Sequence, residues 1–324
     1  MLDAATRAQV IEKCIAHLRD SYVFPEVGAA MHDAVRQRRE KGEYDAIESP
    51  AVLAAKLTKD FQEVSRDKHL RVVHSNATPD NAGAADSGRQ RLAHEGRNNN
   101  FGFARVDRLA GNVGYIDLRS FSPASLAADA AAMAMNAVAD ADALIIDVRQ
   151  NGGGDGDMVA LLISYLVDGE LVHVNDFVGR DGSVLHESWT RKDVAGRRFT
   201  GKDVYVLTSS YTFSAAEEFA YDLVNLKRAK LVGETTGGGA NPVTFFELGD
   251  RFRISVPTAR ARNPITQTNW EGVGVHPDLV VPARLALQAA HLEALQKLAS
   301  HKPLEAEIAD VRRELEALKR SGAN

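Results

Sequence analysis

The chain has 324 residues, 44% hydrophobic and 26% charged, with a formal net charge of -5 at pH 7, which is enough to bury a sizeable core around one domain of about 200 residues with smaller additions. The charge is spread along the sequence, with no long basic stripe beside aromatic residues, so nucleic acid is excluded as an expected partner. No apolar run approaches the roughly 20 residues that span a bilayer, and the N-terminus lacks the regions of a secretory signal; a soluble chain is expected, cytoplasmic unless a removed signal once made it periplasmic or extracellular.

From Ala4 to about Val73, apolar residues recur at spacings of three and four, as in Val10, Ile11, Cys14, Leu18 and in Val52, Leu53, Leu57, Phe61, Val64, the signature of amphipathic helices. Asp3 stands before the first, and Ser49-Pro50 opens the later one with proline near a first helical position, where its missing N–H costs nothing. The only cysteine, Cys14, falls on the apolar stripe and reads as core packing rather than as a reactive thiol. Residues 1–75 are expected to form a small N-terminal helical domain. Residues 76–100 are rich in Asn, Gly, Ala, Asp and Arg without sustained periodicity and read as a mobile surface linker or an active-site flap.

After Phe101, short β-rich runs alternate with helical stretches: strands at 113–118, 143–148, 204–207 and 230–232, helices at 123–138, 157–167 and 214–226. This alternation argues a sheet covered on both faces, an α/β core over residues 101–283. Phe245-Phe246-Glu247-Leu248, Gly249-Asp250 and the run from Arg251 to Val256 read as a hairpin, with Gly-Asp supplying the positive φ of a tight turn. Residues 284–324 return to helix, broken near Pro303. Their stripe of Ile308, Val311, Leu315 and Leu318 serves either packing within the chain or a homo-oligomer contact.

Three segments could carry chemistry. The strand Ala143-Leu144-Ile145-Ile146-Asp147 runs into Asn151-Gly152-Gly153-Gly154-Asp155-Gly156 and then a helix. Such a turn lets backbone N–H groups approach a developing oxyanion. A phosphate cradle is the rival, but neither Gly-x-Gly-x-x-Gly nor Gly-Lys-Ser/Thr is present, and a merely structural turn is the plain alternative. Asp147, Asp155 and Asp157 lack a His or Cys partner at ligand spacing and read as turn and cap residues rather than a metal site. Ser214 follows a strand across a polar turn and precedes a helix, which suits an exposed nucleophile but equally suits an N-cap with Glu217 completing a capping box. His69 and Glu271 taken singly would be a satisfied histidine and a surface carboxylate. Taken together, Ser214, His69 and Glu271 offer a nucleophile, a base and an orienting group.

The combination resembles the tail-specific, or C-terminal-processing, serine peptidase family. The matching segments are Gly114-Tyr115-Ile116, the strand through Asn151-Gly152-Gly153-Gly154, Ser214-Ala215-Ala216-Glu217, Arg228 through Gly233-Glu234-Thr235-Thr236, and Gly272-Val273-Gly274-Val275-His276-Pro277-Asp278. The resemblance implies a crotonase/ClpP-like α/β core and places Ser214 at the nucleophile. In the branch with a serine-lysine dyad, a lysine follows Gly-Glu-Thr-Thr; this chain has Gly237-Gly238-Gly239, and between His69 and Phe103 it has no room for the inserted PDZ domain. The branch similar to the tricorn core peptidase and the interphotoreceptor retinoid-binding protein modules uses an earlier histidine and a later glutamate, matched here by His69 and Glu271. Tricorn-like sites carry a serine directly before that histidine, where this chain has Lys68. The resemblance therefore implies a Ser214-His69-Glu271 serine peptidase with an oxyanion hole from Ala215 and Gly153, with Gly152 beside it, acting on peptide or unfolded polypeptide without a cofactor. Its alternative is a non-catalytic binding module for apolar ligands or peptides.

Overall fold

The computed structural model describes residues 1–75 and 84–321, and of residues 84–89 the backbone alone. In chain order it contains α1 (Ala4–Ser21), α2 (Pro25–Glu40), α3 (Pro50–Ser65), β1 (Arg71–His74), α4 (Ala84–Asn98), β2 (Phe103–Leu109), β3 (Val113–Leu118), α5 (Ala124–Val138), β4 (Ala143–Asp147), α6 (Gly156–Leu166), β5 (His173–Gly179) and β6 (Val184–Trp189). There follow β7 (Asp203–Thr208), α7 (Ala215–Asn225), β8 (Lys230–Gly233), β9 (Val243–Gly249), β10 (Phe252–Pro257), β11 (Ala259–Arg262), β12 (Leu279–Val280), α8 (Ala286–Leu298) and α9 (Glu305–Ser321). Two compact units divide the chain: Met1–Ser87, Asp176–Glu187 and Gly239–Arg262 in the first, Gly88–Asn175, Ser188–Gly238 and Asn263–Asn324 in the second.

In the first unit α1, α2 and α3 begin where their caps place them. The Asp3 carboxylate accepts the Thr6 N–H at 2.7 Å, and Ser49 precedes Pro50 at the head of α3 and accepts from Val52. Cys14 is fully buried with Ile11, Leu18, Leu57, Phe61 and Ile254, and burial pushes its thiol well above the ordinary range. The unit is not purely helical. It contains an antiparallel sheet of order β1-β10-β9, and β11 with parts of β5 and β6 from the sheet of order β11-β5-β6, so the hairpin assigned by its sequence neighbours to the α/β core joins the N-terminal helices instead. Four residues at β1 are too few to interrupt a helical periodicity, and the strand's partner lies far along the chain. Thr58 of α3 covers the outer edge of β1: the Val72 N–H donates to Thr58 Oγ1 at 2.9 Å, and the single hydroxyl hydrogen has Ala54 O at 2.8 Å and Val72 O at 3.2 Å as acceptors, which protects an edge that could otherwise pair with another strand. In the hairpin, positive φ falls at Asp250 (46°) and Arg251 (64°) as well as Gly249, so the turn centres one residue later than Gly-Asp.

The expected linker is partly corrected. Residues 76–83 lie outside the described residues, but Ala84–Asn98 form α4 rather than an irregular loop. Its alanines, arginines, Leu92 and Glu95 are good helix formers, and Arg91 and Glu95 pair one turn apart at 3.9 Å.

The second unit is built on a six-stranded sheet of order β12-β8-β7-β4-β3-β2, parallel except for β2 against β3. One face, including Tyr115, Ile145 and Leu207, packs on Ala286, Ala290 and Leu295 of α8. The crossover helices cover the rest, α5 against β2 and β3 and α7 against β8. Val311 and Leu315 of the C-terminal stripe are buried, and α9 lies along α8 of the same chain, so the stripe packs in cis. No helix among the described residues is long and apolar enough to cross a membrane.

Candidate active site

β4 and β7 are parallel neighbours, so the turns after them emerge side by side at the carboxyl ends of the strands, where open α/β sheets bind ligands. The two turns are sewn together. Ser209 Oγ donates to Arg149 O at 2.6 Å, Thr212 Oγ1 to Val148 O at 2.8 Å, and the Phe213 N–H to Asn151 O at 3.1 Å. Gly153 sits against the serine: with φ at +110°, a Cβ there would lie 2.7 Å from Ser214 Cβ. Only glycine fits that approach. Its N–H, expected as an oxyanion donor, is engaged here by Asn151 Oδ1 at 2.9 Å, while Asn151 Nδ2 anchors the turn to Leu118 O at 3.0 Å. Gly152 is exposed. Asp155 caps α6 through the Met158 N–H, and Asp147 is held by Tyr115 and Arg149.

Ser214 is half-buried immediately before α7. Its backbone lies at φ 57°, ψ −125°, a conformation costing a non-glycine residue on the order of 1–3 kcal/mol and met chiefly at functional turns. What holds it there is Glu217. Fully buried, its carboxylate accepts the Ser214 N–H at 2.9 Å, the Thr236 hydroxyl at 2.5 Å and the Gly238 N–H at 2.6 Å, and the positive end of the helix favours its charge. Glu217 is more than a cap. It ties the serine turn to the segment after β8, a role that the capping-box spacing signals only in part.

The triple glycine has its own reason. Gly238 has φ +79°, and a Cβ on it would meet the backbone of Gly272, Val273 and Gly274 at 3.1–3.2 Å; the Gly272 N–H donates to Gly238 O at 3.0 Å. A side chain at 238 would displace the loop that carries Glu271. Thr236 Oγ1 also accepts the Val275 N–H at 2.7 Å, so Ser214, Glu217, Thr236 and the Glu271 loop form one bonded series. Glu271 is half-buried beside the buried Trp270, its N–H held by Asn269 Oδ1 at 2.9 Å.

His69 belongs to the first unit, Ser214 and Glu271 to the second. It follows α3 in a turn organised by Asp67, whose buried carboxylate accepts the His69 N–H at 3.0 Å, the Tyr22 hydroxyl at 3.1 Å and Asn241 Nδ2 at 3.1 Å. Ser255 Oγ donates to His69 O at 2.6 Å. Burial lowers the imidazole pKa, Asp67 opposes this, and the Arg71 guanidinium adds to it. Lys68 is exposed. Asp67 fixes this turn, which its sequence context, an Asx-turn two residues before a histidine, could have signalled.

Glu217→Gln tests the anchor. Both carboxylate oxygens face donors, so an amide must set its NH2 against an N–H or O–H, and a buried mismatch of this kind costs about 1–3 kcal/mol. An unfolding free energy from denaturant titration lowered by that amount, with turnover falling in parallel, is expected; wild-type stability would remove Glu217 from this role.

Residues 112–281, just over half of the chain, match the model of peptidase family S41, and residues 4–98 match the N-terminal domain of peptidase S41 in eukaryotic IRBP. The carboxyl-terminal-processing protease of Synechocystis sp. is 34% identical over 173 residues, 52% of this chain and 38% of that relative, so the chain spans well under half of its length. Among solved structures, a Parabacteroides merdae protein designated a peptidase superposes with a TM-score of 0.65 at 19% identity, covering 92% of this chain and 99% of the other. The tricorn protease shares the fold at a TM-score of 0.52 and 13% identity, over 98% of this chain and 37% of its own. With a crotonase-like α/β sheet, a strained serine at a helix start and the family model spanning both, the chain belongs to peptidase family S41.

Proposed function

We propose that the chain hydrolyses peptide bonds in peptide or unfolded polypeptide substrates, with Ser214 as nucleophile, His69 as general base and then acid, and Glu271 orienting the imidazole and stabilising its charged form. The observation that carries the reading is the backbone of Ser214, held in a costly conformation by a buried glutamate at the start of a helix. Attack on the acyl carbonyl forms the Ser214 Oγ–C bond as His69 takes the hydroxyl proton. Collapse of the tetrahedral intermediate expels the amine, which receives that proton, and water then releases the acyl group by the same steps. The Ala215 N–H, first of α7, and an N–H of the glycine turn hold the oxyanion. Gly153 can serve by exchanging its neutral bond to Asn151 for a stronger one to a charged oxygen; Gly152 is the other donor. The base is taken to be a histidine because this chain has Gly239, not lysine, where the dyad branch has its base.

An activity-based fluorophosphonate probe tests the reading. Covalent labelling that mass spectrometry maps to Ser214, at a rate rising with pH through the titration of His69, is the expected result. No labelling, no cleavage of unfolded polypeptides and saturable binding of an apolar fluorophore would instead establish a binding module.

A further inference from the structure

Resting on the assignment of Ser214 and Glu271 to one site, we propose that Asp222 and Asn263 are positioning residues that fasten the loop carrying Glu271 to the helix that Ser214 begins. All four belong to the second unit. Asn263 is fully buried and its amide is saturated. Nδ2 donates to Asp222 Oδ1 at 3.0 Å and to Val174 O at 3.2 Å, while Oδ1 accepts the N–H groups of Ile265 at 2.9 Å and Thr266 at 3.2 Å. Four bonds are all that a side-chain amide can make. The backbone closes the same turn, Asn263 N–H to Thr268 O at 3.0 Å and Gln267 N–H to Asn263 O at 2.9 Å.

A second tie comes from the neighbouring residue on α7. The Tyr221 hydroxyl lies 2.9 Å from Thr266 Oγ1, and its ring centroid 5.2 Å from that of Trp270, directly before Glu271. Asp222 stands about two turns after Ser214, so one helix carries the serine at its start and holds the glutamate loop at two points further on.

Asp222 is an expensive residue to keep here. It is fully buried, and its Oδ2 has no hydrogen-bond partner among the described residues. Glu218, one turn earlier, is buried as well and accepts from Asn175 at 3.2 Å. Burial pushes Glu218 up to about 7, with Asp155 and Asp157 adding to the shift; burial and then Glu218 push Asp222 well above the carboxylate range. An apolar side chain would fill the site without an unpaired oxygen. What it would lack is the acceptor that Asp222 offers Asn263.

The test measures kcat and KM on an unfolded polypeptide for Asp222→Ala, Asp222→Asn, Asn263→Ala and Tyr221→Phe, each alone and in a Glu271→Ala background. Loss of alignment of about an ångström can cost up to roughly 100-fold in rate. Asp222→Ala and Asn263→Ala are therefore expected to lower kcat about tenfold or more with KM nearly unchanged. Asp222→Asn keeps the acceptor and should stay within about threefold of wild type. In the Glu271→Ala background, Asn263→Ala should cost nothing further, because residues acting through one group are non-additive. Additive losses, or an Asp222→Asn variant as impaired as Asp222→Ala, would overturn the proposal. Should the alanine variants fail to fold, Tyr221→Phe decides, since it removes one hydroxyl: a loss confined to the background that retains Glu271 supports the tie, and no loss in either overturns it. If Glu271→Ala alone is fully active, the assignment of Glu271 has failed; if it is impaired while Asn263→Ala is not, only the positioning role has.

Discussion

Ser214→Ala is expected to lower kcat by roughly 10^4-fold or more, since removing the nucleophile of a serine peptidase leaves only binding and oxyanion stabilisation. The fold should survive. Alanine keeps the Cβ, the backbone conformation and the N–H that Glu217 holds, and the loss of a capping side chain costs only about 1 kcal/mol. Thermal unfolding of the variant should therefore stay close to wild type while cleavage of an unfolded polypeptide is lost. Ser214→Gly adds a contrast: glycine relieves the positive φ of 57° and should recover part of the strain as stability, again without activity. An alanine variant with wild-type turnover would end the assignment, because no other residue proposed for the site could replace a serine as acyl acceptor.

How much of this was legible depended on the distance over which each signal acts. The order β3, α5, β4, α6, β7, α7, β8 was readable because apolar periodicity is local, although β5 and β6 between α6 and β7 were not read as strands, and Asp3, Ser49 and Ser214 were readable as helix starts because capping is set within four residues. The partnership of β1 with β10 was not: four residues carry little pattern, and their partner is a hairpin that directly follows β8, a strand of the other unit. The missing lysine after Gly-Glu-Thr-Thr could be read directly, whereas the reason for glycine at 238, the backbone of the Glu271 loop lying against it, is a contact between distant segments. The same holds for Asn151, which takes the Gly153 N–H, and for Asp222, a charged residue type that is nonetheless fully buried. Polar groups whose partners are distant in sequence are where residue-by-residue reading stops, since their burial is decided by tertiary packing.

The second large effect concerns His69. If it is the base, kcat/KM must rise as the free enzyme loses the imidazole proton, and the acidic limb reports that pKa. An unperturbed histidine titrates near 6.5, but burial disfavours the imidazolium of His69 and Arg71 repels it, with only Asp67 acting the other way. The limb should thus fall below about pH 6.5, leaving activity level through neutrality. Arg71→Ala, by removing the repulsion, should move the limb upward. The sign for stability is consistent: with a folded pKa below the unfolded one, the unfolded chain binds the extra proton, so the contribution of His69 is intact above about pH 6.5 and is lost as pH falls through the folded value. His69→Ala should abolish the limb and lower turnover on the order of 10^3-fold or more, as expected for loss of a general base in such a site. A His69→Ala variant that kept both rate and profile would require another base, and His74 is the first to examine by sequence; it ends β1 with its ring packed 4.7 Å from that of Phe252, a place in the sheet that explains it as a packing residue without any role in proton transfer.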